Sequence, residues 1–171
     1  FHQAQAPRHL ISKLKNKYGN CIDKVKENPY AMIGEVRGFT FRVADQLALS
    51  LGIEKDSIMR IYSATAHAMD DLNKSEGHTC VEIRELLGEV HELTSCNDSL
   101  TKEAIEELIN DGIFQRTSDG LIGFNHHIED EMFIASYCFK KQSDKIPVPY
   151  KKSDLNCSGL NHDQVEAVAQ A

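Results

Sequence analysis

The break at Gly38 constrains this chain more than any other feature of its sequence. Residues 35–52 read EVRGFTFRVADQLALSLG, and immediately past the glycine Val43, Ala44, Leu47, Ala48 and Leu51 recur at helical spacing. Gly52 then stands where a helix closes in the left-handed conformation. An apolar segment also leads into the break, so the pattern predicts two short helices joined by a tight turn, with an arginine on each side of it.

The same periodicity predicts helices before and after. Pro7 opens one that carries Leu10, Ile11, Leu14 and Tyr18 on one face, and Gly19 stops it. Ile22 and Val25 anchor a short second helix. Asn28-Pro29 then caps and starts a third, which is expected to run to about Val36. Beyond Gly52, Asp56 or Ser57 caps a fifth helix whose Ile58, Ile61, Tyr62, Thr65, Met69 and Leu72 are expected to face inward.

At Gly77 the pattern changes. A β-prone stretch, His78 to Val81, leads into an acidic amphipathic helix bearing Val81, Leu86, Leu87, Val90 and Leu93. After a polar loop, a second helix runs from about Thr101 to Gly112. Ile113 to Arg116 and Leu121 to Phe124 then read as two strands joined at Gly120. Strand, helix, helix, hairpin is the order of a winged helix. A closing helix follows, with Ile128, Met132, Ala135, Ser136 and Phe139 on one stripe. The predicted class is therefore mainly α: a helix-hairpin-helix domain over residues 1–75 and a small winged-helix-like domain with a short β-hairpin over 76–142. Residues 143–159, with two prolines and no periodicity, read as a linker, and 160–171 as the start of a further helix.

Charge separates these parts. The net charge is −7, yet residues 1–60 hold ten Lys/Arg against six Asp/Glu, while residues 61–142 hold six against sixteen. A polyanion is drawn to the first third and repelled by the middle, so any nucleic-acid contact is expected within the first 60 residues. In the helix-hairpin-helix turn, consecutive backbone N–H groups open at the start of the second helix, where the dipole is positive, and together they receive one phosphate. Val36, Gly38 and Phe39 match the turn's hydrophobic-small-Gly-hydrophobic-Gly pattern, with Phe39 plugging it into the core. Arg37 and Arg42 flank it and supply charge-assisted contacts. Such binding positions DNA without reading bases. Thr40 stands where the pattern has its second glycine: its Cβ obstructs a phosphate or forces a different turn, while its hydroxyl is able to cap the next helix.

The stretch YGNCIDKVKENPYAMIGEVRGFTFRVADQLALSLGI, followed by EGHTCVEIRELL, resembles the N-terminal extension of the longer RecD/TraA-type superfamily 1 DNA helicases, over about residues 8–142. There an ENPY…RGIGF(K)TAD hairpin precedes a GHT winged-helix-like segment. Phe39-Thr40 here replaces the family's Ile-Gly. LNHDQVEAV at residues 160–168 looks like the LNxxQxxAV that opens the family's first motor domain. The resemblance implies a non-catalytic region that contacts DNA through Arg37, Gly38, Phe39, Thr40 and Arg42, with 160–171 the first helix of a truncated motor. In the complete protein it implies ATP-driven 5′ to 3′ unwinding with ATP and Mg, Gln164 facing the adenine, and the motor domains as partners.

Catalytic chemistry is not expected of the segment itself. No G-x-x-x-x-G-K-[ST] occurs, so no triphosphate is cradled by that loop and no cofactor is expected. His126-His127 with Glu129, Asp130 and Glu131 reads as an acid-rich helix start rather than a metal site, and His78 with Cys80 has no second pair, so no metal is expected. Five cysteines at irregular spacing are expected to be reduced. With no run of 18 apolar residues and no leader, neither a membrane partner nor export is expected, which leaves the cytoplasm. The alternative is a structural or protein-interaction module without DNA affinity, in which the acidic winged helix docks a partner. In that helix and wing Lys102 and Arg116 are the cations.

Overall fold

The computed structural model describes Ser12 and residues 22–143. The first predicted helix apart from Ser12, the linker after Ser143 and residues 160–171 lie outside them. Six α-helices and a small antiparallel sheet are described, as the mainly helical reading expects: α1 (Ile22–Glu27), α2 (Phe41–Ser50), α3 (Ile58–Glu76), β1 (Cys80–Val81), α4 (Ile83–Thr94), α5 (Asp98–Asn110), β2 (Phe114–Arg116), β3 (Ile122–Phe124) and α6 (Asn125–Ser143).

Asn28 and Pro29 act as their sequence suggests. The Asn28 carboxamide oxygen accepts from the N–H groups of Tyr30 and Ala31 at 3.0 and 3.2 Å, and proline occupies the first helical turn. The element they start is a 3-10 turn, Pro29–Met32, and not the helix to Val36 that periodicity suggests. Ile33 is already extended, and Gly34 turns left-handed at φ 78°, which diverts the chain before a second helical turn forms. The approach to Gly38 is thus a compact turn series rather than an α-helix.

In α3, Arg60, Ile61, Ala64, Thr65, Ala68, Met69 and Leu72 are buried, while Tyr62 is half-buried and Ile58 exposed. Gly77, at φ 75°, closes the helix, its N–H donating to the Asn73 carbonyl. The same helix packs against α4 and α5, so one core of Phe41, Ile61, Met69, Leu86, Ile105, Leu108 and Ile122 runs from the hairpin to the sheet. Helix α5 starts at Asp98, a turn before Thr101, because Asn97 caps it by accepting from the Leu100 N–H at 3.1 Å.

The sheet order is β1-β3-β2, with Val81 opposite Ile122 and Phe114 opposite Phe124. With α4 and α5 this sheet forms a winged-helix-like region, and α3 packs against both helices. Residues through Glu131 form one compact unit. Along α6, Ile128 is buried, but of the rest of its expected stripe Met132 and Phe139 are 63% and 75% exposed.

Candidate nucleic-acid interface

The hairpin divides between inside and outside. Val36, Phe39 and Phe41 are buried, and Arg37, Gly38, Thr40 and Arg42 are exposed. The Phe39 N–H donates to the Val36 carbonyl at 2.8 Å, and Gly38 sits at φ 91°, a conformation glycine adopts without a Cβ clash. Phe39 therefore plugs the turn into the core, as its place in the motif demands.

Helix α2 begins directly behind this turn. Thr40 is its N-cap in extended geometry, and its carbonyl accepts the Ala44 N–H at 3.0 Å. Its side chain makes no capping hydrogen bond, which corrects the expectation of a hydroxyl cap: the first-turn N–H groups of α2 are not drawn to it. The rim Arg37-Gly38-Thr40-Arg42 thus surrounds the positive end of α2.

Phe41 fixes that end laterally. Its ring stacks on Tyr30 at 5.9 Å and on His67 at 5.2 Å. One turn along, Asp45 is held by a buried guanidinium: Arg60 Nε donates to Asp45 Oδ1 at 2.7 Å and Nη2 to Oδ2 at 3.0 Å. The Tyr30 hydroxyl donates to Asp45 Oδ1 at 2.8 Å. Burial, then this carboxylate, pushes the Tyr30 phenol well above its usual range, while the bond to Asp45 raises Arg60 further. This network escapes motif reading. Its trace is an arginine at the head of the apolar series Arg60, Ala64, Ala68, Leu72, spaced four apart.

The charge map sharpens in the same way. Arg8, Lys13, Lys15 and Lys17 supply the excess of the first 60 residues, because 22–60 balance six cations against six anions. At the hairpin itself the cations are local, Arg37 and Arg42.

These observations meet a comparison with known families. Residues 1–80 match the family model of the ATP-dependent RecD2 DNA helicase HHH domain. The matched segment includes the whole hairpin and all of α3, and it ends at the first residue of β1. The last helix of the matched segment, α3, packs against both α4 and α5.

Beyond the HHH segment the reading-helix position is occupied by α5, whose exposed side chains include Asp98, Glu103, Glu106 and Glu107 beside Lys102. Arg116 on β2 donates to Glu106 at 2.6 Å. Among the described residues, two groups bring potential metal-ligand atoms within 4.8 Å of one another, His67/Asp70/Asp71 and Glu76/His78/Glu85. Neither is the His126-to-Glu131 run that stands out in the sequence; there His127 Nδ1 lies 3.1 Å from the Asn73 carboxamide and Glu129 accepts from Asn125. Cys80, Cys96 and Cys138 are free thiols, and burial, followed by nearby Glu131, raises Cys80 above the usual thiol value. No described helix is long and apolar enough to cross a membrane. Gln164 lies outside the described residues.

Proposed function

We propose that this chain is the non-catalytic N-terminal region of a RecD2-like 5′ to 3′ DNA helicase, and that it holds DNA by one backbone phosphate at the start of α2. The observation that carries this reading is the exposed rim of Arg37, Gly38, Thr40 and Arg42 around an N-terminus whose cap residue makes no side-chain bond. The match of residues 1–80 to the HHH domain supports it. Contact is with backbone and not with bases. In this reading residues 1–75 form the DNA-binding domain, 76–142 the winged-helix-like domain, 143–159 a linker and 160–171 the first motor helix. ATP and Mg belong to the motor domains, where Gln164 faces the adenine; the segment itself holds no cofactor and works in the cytoplasm.

Fluorescence anisotropy with single-stranded, duplex and 5′-tailed DNA across a salt series tests the reading. Each neutralised phosphate contributes a log-log slope of about −0.7 to −0.9, so Arg37→Ala/Arg42→Ala flattens the slope by roughly two units if both arginines make such contacts. A double variant that binds as the parent does removes the hairpin from the interface. The acidic face of α5 favours a second role for the winged-helix-like unit, packing against protein rather than DNA, because phosphates are repelled there.

A further inference from the structure

We infer that Arg60 is a positioning residue for the hairpin, a brace that fixes the phosphate-receiving end of α2 relative to the α4–α5 corner. This rests on the DNA-binding reading above. The evidence is the reach of one guanidinium. Besides holding both Asp45 carboxylate oxygens, its Nη1 donates to the Lys55 carbonyl at 2.8 Å and to the Thr94 carbonyl at 3.2 Å. Asp45 passes the connection on to Tyr30 of the 3-10 turn. The incoming arm of the hairpin, its outgoing helix, the α2–α3 loop and the last residue of α4 therefore converge on a side chain only 5% exposed.

Charge makes the brace specific to anion binding. Asp45 lies three residues beyond Arg42, on the first turns of the helix whose positive end faces the ligand. An uncompensated carboxylate there opposes a phosphate, and Arg60 cancels it from the core side while remaining too buried to meet the phosphate itself. Lysine cannot replace it, since one ammonium does not span two carboxylate oxygens and two carbonyls.

The deciding variant is Asp45→Leu/Arg60→Met in the full chain, which removes both charges and leaves none buried alone. Three readouts are compared with the parent: urea unfolding, amide exchange at Ala44 and Ser95, and DNA affinity across salt. The brace predicts a stable double variant in which both amides, bonded in the parent to Thr40 and His91 carbonyls, exchange faster together. It also predicts DNA affinity lowered about tenfold with the salt slope unchanged, because no phosphate contact is lost. A stable double variant with parental exchange at both amides, or with parental affinity, overturns the inference. If the double variant does not fold, Arg60→Lys is read by the same criteria. A parent that binds no DNA at any salt defeats the DNA reading instead, and the paired exchange of Ala44 and Ser95 then decides the brace by itself.

Discussion

Gly123 on β3 runs so close to Thr79 that a methyl group at position 123 would overlap the Thr79 carbonyl oxygen, and would also press on Cys80 Sγ. Gly123 pairs with both Cys80 and Gln115, so it lies on the central strand, where a glycine marks the close approach of another backbone. Gly123→Ala is expected to destabilise the chain by about 1–3 kcal/mol, because backbone rather than a flexible side chain has to move. Urea unfolding checks this; a parental midpoint would mean that β1 shifts without cost.

Gly88 is the opposite case. It lies in the middle of α4 with open space where its Cβ would be. Gly88→Ala should therefore stabilise by roughly 0.5–1 kcal/mol, through the smaller loss of backbone entropy on helix formation. The pair Gly123→Ala and Gly88→Ala, read in one denaturation series, separates steric need from mere occurrence of glycine.

Tyr62 gives the fold an alkaline limit. Its hydroxyl donates to Asp111 at 2.7 Å, and burial, with that carboxylate second, pushes the phenol up to about 12. The folded state thus favours the protonated form. Its stabilisation is fully present below the ordinary phenol value near 10 and is lost as pH rises from there through about 12. Thermal unfolding between pH 9 and 12 should show a shallower alkaline decline in Tyr62→Phe than in the parent. Equal declines would exclude Tyr62 as a contributor.

What sequence reading reaches, and where it stops, follows from what each signal encodes. Helical spacing places α2, α3, α4 and α5, and the glycines at 52, 77 and 120 do stand at turns with positive φ. Such patterns report which face of an element is apolar, not what lies opposite it. Hence α3 is legible as an amphipathic helix, but its packing against α2 on one side and α4 and α5 on the other is not, and the apolar stripe of α6 proves buried only at Ile128. The failure at Met32 is of another kind: Gly34 is followed by further plausible helix formers, and the extended Ile33 together with the positive φ of Gly34 ends the 3-10 turn. At the candidate site the exposed rim was legible because turn, glycine and arginines are contiguous. Arg60 and Asp45, fifteen residues apart, meet only after the chain has folded.

The sharpest question about the hairpin concerns Thr40, which occupies the place of the family pattern's second glycine. Thr40 is exposed, lies at the N-cap of α2 and makes no side-chain capping bond, so its side chain offers little to the helix, while in the proposed DNA-binding role its Cβ stands beside the phosphate. Thr40→Gly should consequently cost the fold only a few tenths of a kcal/mol, since glycine is itself an acceptable N-cap. DNA affinity should rise by roughly threefold to tenfold, up to about 1.4 kcal/mol, as backbone approaches phosphate more closely. The salt slope should stay the same, because no cation is added. Anisotropy titrations of parent and variant at two salt concentrations distinguish the outcomes. Tighter binding locates the phosphate at the start of α2, whereas unchanged affinity in a folded variant places the contact on the arginines alone, away from the backbone N–H groups.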